Sequence, residues 1–238
     1  MIKPYNSQGT KKQQVEQMFD NIAFRYDFLN HLLSLGIDRL WRYKTIKKLK
    51  TLRPHRILDI ATGTGDMAIA LLKLKPSEII GIDLSEEMLL HARNKIYKTG
   101  MDNIIHFEKG DAEQINYPDN TFDAVTVSFG ARNFENLTKG LIEIYRVLKP
   151  AGLAVILEFS QPRNKLFRIM YYIYFFKLVP LLGKLFSKDY RAYTYLPESV
   201  RNFPSGNDFI NQLKNIGFVI TDKKELTFGI ATIYTGKK

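Results

Sequence analysis

Between Ile57 and Ser160 the chain alternates short apolar runs with stretches of helical periodicity, and this alternation limits the fold more than any single residue does. RILDIA, EIIGID, NIIHFEKGD, TFDAVTVSFG and AGLAVILEFS read as five strands. MAIALLKL, SEEMLLHARNKI and LTKGLIEIYRVL read as helices between them, the second opening on Ser85 as its N-cap. Strands joined through helices must run parallel, because a parallel pair needs a long crossover. The spacing therefore predicts an α/β fold with helices on both faces of a mostly parallel sheet. Upstream, residues 15–52 read as helical from Val15, Met18, Phe19, Ile22 and Ala23 through Leu29, Leu32, Leu33, Leu40 and Trp41. Downstream, PSGNDFINQLKNIGF reads as a capped helix, and FVITDKKEL and FGIATIYTG as two closing strands, for seven in all. The expected organisation is a helical segment 1–56, an α/β core 57–160, a helical insert 161–204 and a closing helix and strands 205–238, within one domain.

The first strand runs into LDIATGTGD, which places Gly63 and Gly65 at its carboxyl end, where open α/β sheets bind ligands. Small residues let the backbone approach a ligand, and the next helix N-terminus presents free N–H groups. With Ala68 the spacing matches G-x-G-x-x-A, a fingerprint shared by nicotinamide, flavin and S-adenosyl-L-methionine (SAM) folds. Asp83 ends the second strand, where a carboxylate accepts both hydroxyls of a ribose, or simply caps the helix that follows. Asp111, after the third strand, is placed to accept from an adenine amine, or sits in a solvated turn. Asp59 and Asp66 flank the glycine turn and favour a cofactor carrying sulfonium and ammonium charges over a diphosphate, which they would repel.

Composition removes several chemistries. The 238 residues include no cysteine, which excludes disulfides, zinc–thiolate sites, iron–sulfur clusters and thiol nucleophiles. His31, His55, His91 and His106 show no metal-ligand spacing, so no metal is expected. The net charge of +11 is uneven: +8 over residues 1–56, −5 over 57–160, +6 over 161–201 and +2 beyond. Basic flanks around an acidic middle suit an anionic partner such as a membrane surface, or reflect a generally lysine-rich composition; no nucleic-acid-binding signature accompanies them. Residues 166–186, LFRIMYYIYFFKLVPLLGKLF, are mostly apolar, but Arg168, Lys177, Lys184, Pro180 and Gly183 interrupt them. A lid over an apolar pocket or an interfacial element fits better than a membrane span. Tyr171, Tyr172, Tyr174, Phe175 and Phe176 either pack this insert or line a channel within it. MIKPYNSQGTKKQQ lacks the apolar stretch of a secretory signal, so the default compartment is the cytoplasm, with peripheral membrane contact. Nothing in the sequence decides between a monomer and a homo-oligomer.

The ordered set D-x-A-x-G-T-G-D, Asp83, GDAEQINYPDNTFDAV and RVLKPAG, with Pro150 and Gly152 before the fifth strand, resembles the class I SAM-dependent methyltransferases, which have a Rossmann-like fold. RYDFLNHLLSLGIDRLW (25–41), SFGARNF (128–134), RVLKPAGLAVILEFS (146–160) and YRAYTYLPESVRNFP (190–204) narrow the resemblance to the ubiquinone/menaquinone biosynthesis C-methyltransferase family, over nearly the whole chain. Departures are few: Leu29 where Met is usual, Asp38 where His is frequent, Ala151 for a glycine, and Ala61-Thr62-Gly63 for a more glycine-rich turn. The resemblance implies a SAM site at Thr64, Asp83, Asp111 with Ala112, and Ser128, with Gly63 and Gly65 shaping the turn. It also implies methyl transfer to a ring carbon of a polyprenylated quinol, a demethylmenaquinol or, in the ubiquinone branch, a methoxy-polyprenyl-benzoquinol.

A carbon–methyl bond needs a carbon nucleophile, and without cysteine neither thiol addition to the ring nor radical SAM chemistry is open. A hydroquinone that loses a hydroxyl proton gains carbanion character at the ortho carbon, so the protein must hold the reactants close and stabilise a phenolate. Arg132 and Asn133 in SFGARNF are the candidate catalytic residues. Arg132 stabilises the phenolate or orients a water, unless it pairs with a nearby acid; Asn133 positions the ring, unless it caps a turn. Tyr26, Asp27 and Tyr195 are secondary candidates. An O- or N-methyltransferase of small molecules, a nicotinamide oxidoreductase and an RNA-binding module remain the competing readings.

Overall fold

The computed structural model describes residues 2–5, 7–181 and 189–238, so Gly183 and Lys184 lie outside the described residues. The strands are β1 (Arg56–Ile60), β2 (Glu78–Asp83), β3 (Ile105–Lys109), β4 (Phe122–Ser128), β5 (Leu148–Phe159), β6 (Val219–Leu226) and β7 (Ala231–Lys237). They form one seven-stranded sheet in the order β3-β2-β1-β4-β5-β7-β6. β1 to β5 pair in parallel, and β7 runs antiparallel between β5 and β6. This is the mostly parallel sheet that the alternation predicts.

Side chains of period two sort the sheet into two faces. Leu58, Ile80, Val125 and Ile156 face one side, where Leu141 and Ile144 of α5 (Leu137–Val147) and Phe209 and Leu213 of α8 (Asn207–Ile216) cover them. Ile57, Ile79, Ala124 and Val155 face the other, under Trp41 and Leu49 of α2 (Ile37–Leu49), Met67 and Leu71 of α3 (Asp66–Leu71), and Leu89 and Ala92 of α4 (Glu86–Thr99). Ser85 caps α4, its Oγ accepting from the Met88 amide at 3.1 Å, as its position in the sequence suggests.

The helical stretch expected over 15–52 is two helices. α1 (Lys11–Leu33) opens with a Thr10/Gln13 capping box and stops at Leu35 and Gly36, whose φ values of 51° and 74° turn the chain through the left-handed region into α2. A third apolar cluster joins Val15, Met18, Ile22 and Leu29 of α1 to Ala192, Tyr193 and Tyr195 of α7 (Arg191–Asn202). The insert begins with α6 (Lys165–Ile173) and continues as a π-helical turn over Tyr174–Leu178.

Gly65 sits at φ 82°, and a Cβ placed on it would lie 2.6 Å from the Phe107 ring. Gly65→Ala therefore combines backbone strain with overpacking and is expected to cost about 2–4 kcal/mol of stability, read as a lower urea midpoint with an unchanged m-value.

Candidate active site

Helix α1 lies across the carboxyl ends of the first four strands, tied to the loop after each. Thr64, after β1, donates to Asp27, and Ser85, after β2, donates to Asp20 at 2.5 Å. Lys12 pairs with Asp111, after β3, at 2.5 Å. Lys11 donates to the carbonyl oxygens of Arg132 and Phe134, after β4, at 2.8 and 2.7 Å. Lys11 is buried, and burial together with Arg132 pulls its ammonium down to about 8.

Between α1 and these loops lies a cavity of about 70 Å³ that brings together Gly63, Asp83, Asp111, Ala112, Ser128 and Asn133. The Asp83 carboxylate is held by two backbone amides, Gly63 N at 2.8 Å and Ser85 N at 3.0 Å, and burial pushes its pKa up. Gly63 supplies its amide from a left-handed turn at φ 58°. Asp111 accepts from Glu113 N at 2.9 Å as well as from Lys12, so the adenine acceptor expected there already carries a cation. The Ser128 hydroxyl is buried without a partner.

The other residues of the glycine turn face elsewhere. Thr64 and Asp59 line a smaller neighbouring cavity of about 30 Å³, with Tyr26, Arg42 and Ser128. Asp59 accepts from the hydroxyls of Thr62 and Thr126, each at 2.6 Å, and burial pushes its carboxyl up to about 6. Gly65 lines neither cavity; Phe107 dictates its side-chain-free position. Burial raises the Asp66 carboxyl, but Arg42 and Lys95, at 3.3 and 2.8 Å, outweigh it and hold the group below the usual range. The acidity that the sequence assigns to this turn is thus largely neutralised, whereas Asp83, on the 70 Å³ cavity, is held by backbone amides.

His31 joins a cluster that its sequence spacing hides. Its Nδ1 is 2.9 Å from Asp38 and its Nε2 3.5 Å from Asp66, and the trio's ligand-type atoms lie within 4.8 Å of one another. Arg42 bridges both carboxylates, so the cluster is an ion-pair network between α1, α2 and α3.

An apolar cavity of about 440 Å³ adjoins the first and shares Phe19, Tyr26, Phe129 and Asn133 with it as a dividing wall. Rings from different elements line it in sequence: Phe129 lies 4.4 Å from Phe159, Phe159 5.8 Å from Phe175, and Phe175 stacks on Tyr171 at 4.3 Å. Phe129 holds φ 58°, a conformation that places a bulky residue in the left-handed region at the wall itself. Arg132 lies on this cavity and pairs with Glu158 at 2.8 Å, both side chains buried. Its Nε and the Asn133 Oδ1 have no hydrogen-bond partner.

Arg132 thus makes the pairing with an acid that stands as the alternative to a role on a phenolate, and Glu158 is that acid. Glu158 carries a signal all the same: a lone carboxylate inside AGLAVILEFS cannot be buried without a cation. Phe129, Lys12 and the Tyr171 hydroxyl have no comparable mark. Tyr26, a secondary candidate in the sequence, borders all three cavities, whereas Asp27 is engaged by Thr64 and, at 2.6 Å, by Lys95.

The family model described as the ubiE/COQ5 methyltransferase family matches residues 7–238. The chain belongs to that family. It is 51% identical over 238 residues to a demethylmenaquinone methyltransferase of Bacteroides fragilis, covering 100% of this chain and 97% of the relative. It is 47% identical over 230 residues to the ubiquinone/menaquinone biosynthesis C-methyltransferase UbiE of Geotalea daltonii, covering 96% and 97%. Among solved structures, a SAM-dependent methyltransferase of Thermotoga maritima matches with a TM-score of 0.62 at 21% identity over 93% of this chain and 99% of that one, a likeness of fold. Family membership makes the protein a methyltransferase with a class I fold, as the motif set implies.

Asp83→Asn keeps an acceptor for one amide but removes the charge and one hydroxyl acceptor. It is expected to weaken SAM binding at least tenfold in calorimetry, with thermal unfolding measured beside it to confirm that the fold is retained.

Proposed function

We propose that the protein transfers the methyl group of SAM to a ring carbon of a polyprenylated quinol, converting demethylmenaquinol to menaquinol. The observation that carries this reading is the pair of adjoining cavities, one bounded by Asp83 and the unpartnered Ser128 hydroxyl, the other apolar, divided by Phe19, Tyr26, Phe129 and Asn133. The names carried by the relatives support the same substrate class.

The residues present fit the methyl donor. Asp83 accepts from the ribose hydroxyls, Ala112 and Asp111 border the adenine, and Ser128 offers its free hydroxyl to the amino-acid portion. The cavity is well below the roughly 300 Å³ at which small-molecule pockets begin, so Lys12 and Phe19 of α1 give way as the donor enters. SAM supplies an electrophilic methyl group on a cationic sulfur.

The protein's own residues act on the quinol. Its electron-rich ring is the nucleophile, since the chain has no thiol to add to it. Glu158 offsets much of the Arg132 charge and, with the Phe129 carbonyl, fixes the guanidinium, so what Arg132 offers a developing phenolate is its unpaired Nε–H, a prepositioned donor in a dry site. Asn133 Oδ1 accepts from a quinol hydroxyl and fixes the ring against the dividing wall. The aromatic lining excludes water. Once the carbon–carbon bond has formed, the ring carbon loses its hydrogen as a proton and aromaticity returns, with one proton released overall.

The insert supports delivery from a membrane surface. Leu166, Ile169, Met170 and Ile173, spaced i, i+3, i+4, i+7 on α6, are each more than half exposed, with Lys165 and Arg168 among them. Leu35, Met170 and Phe228 are exposed and also line the apolar cavity, so its mouth opens on apolar surface. Among the described residues no helix is long and apolar enough to cross a membrane. The enzyme meets its substrate by lying on an anionic bilayer, with the prenyl tail entering through this mouth.

Purified protein with SAM and reduced demethylmenaquinone should give a product one methyl heavier by mass spectrometry, and none from the oxidised quinone, whose ring is electrophilic. Turnover of the oxidised form, or none of the quinol, would contradict the assignment. Replacing Ile169 and Ile173 together by Glu should reduce co-sedimentation with anionic vesicles several-fold while sparing activity on a short-tailed quinol in detergent; undiminished vesicle binding would move the contact elsewhere.

A further inference from the structure

Two more polar atoms on the apolar cavity lack partners. The hydroxyls of Tyr171, on α6, and Tyr195, on α7, are buried and unpaired, and both tyrosines line the cavity that Arg132 and Asn133 border. The rings themselves are well packed: Tyr171 stacks on Phe175, and Tyr195 belongs to the α1–α7 apolar cluster. Phenylalanine would satisfy that packing. A buried hydroxyl without a partner destabilises the protein that carries it, so packing does not explain why both rings end in oxygen. Both hydroxyls lie in the field of the Arg132–Glu158 pair, from two helices that approach the cavity separately. Four unpaired polar atoms therefore meet on one otherwise greasy chamber: Arg132 Nε, Asn133 Oδ1 and the two phenolic oxygens.

We propose that Tyr171 and Tyr195 hold the acceptor's two ring oxygens, each donating a hydrogen bond from its phenol, so that an apolar cavity selects a dioxygenated aromatic ring over a bare hydrocarbon. This rests on the reading of the cavity as the quinol site and adds the residues that orient the ring within it. Burial raises both phenols, Tyr195 to about 12, so they stay protonated and serve as donors, not as bases. The selectivity follows from the cost of leaving them unpaired. A ring lacking the oxygens abandons two buried donors, whereas one bearing them satisfies both. One donor meets the oxygen on which negative charge develops and shares that charge with Arg132; the other fixes the opposite oxygen and hence which ring carbon faces the dividing wall.

The test uses the full-length enzyme with SAM and a short-tailed reduced demethylmenaquinone, comparing wild type with Tyr171→Phe, Tyr195→Phe and the double variant. Each single variant is expected to lose roughly tenfold in kcat/KM for the quinol, and the double variant more, with SAM affinity preserved and thermal stability equal to or above that of the wild type. The variant lacking the donor at the charge-bearing oxygen should also move the acid limb of the kcat–pH profile to higher pH, a shift that loss of packing would not produce. Wild-type kcat/KM and pH profile in the double variant would overturn the proposal while leaving the quinol reading intact. An inactive wild-type enzyme under the same conditions would overturn both.

Discussion

Lys11 buries its ammonium against two backbone carbonyls of the loop after β4, and much of the site depends on that contact. A charge in such a position is retained only when its hydrogen bonds are met, and here they fasten the first turn of α1 to the segment that carries Arg132 and Asn133. Lys12, Asp20 and Asp27 then tie the rest of the helix to the three preceding loops. Without this helix the carboxyl edge of the sheet would be an open crevice. With it, the edge is roofed and both cavities acquire a wall.

The same helix explains why the chain is more than a nucleotide-binding sheet. The sheet brings Asp83, Asp111 and Ser128 to one edge, as any parallel α/β arrangement would. Phe19 and Tyr26 of α1, set against Phe129 and Asn133, turn that edge into two chambers of different polarity. The strained backbone at Phe129 lies at their boundary, and the buried Arg132–Glu158 pair stands on the apolar side of it, where fixed charge acts in a medium with little water.

What the sequence made legible was local or periodic. The alternation of strands and helices, the cap at Ser85, and the placing of Gly63, Asp83, Asp111 and Ser128 at one edge all follow from patterns a few residues long. What it hid was long-range. Nothing near Thr64 announces Asp27, and nothing near Asp111 announces Lys12, because those pairs are 37 and 99 residues apart in the chain. The break at Leu35-Gly36 was obscured because apolar residues continue on both sides of it with helical spacing. Gly65 reads as a ligand-facing glycine from its fingerprint alone, whereas only the folded sheet shows Phe107 filling the space above it. Glu158 was within reach, since a solitary acid in an apolar strand demands a counter-ion.

A partition common to two chambers cannot be loosened for one guest without disturbing the other. Phe19 and Tyr26 of α1 line both chambers, so any change in the seating of that one helix alters the two together.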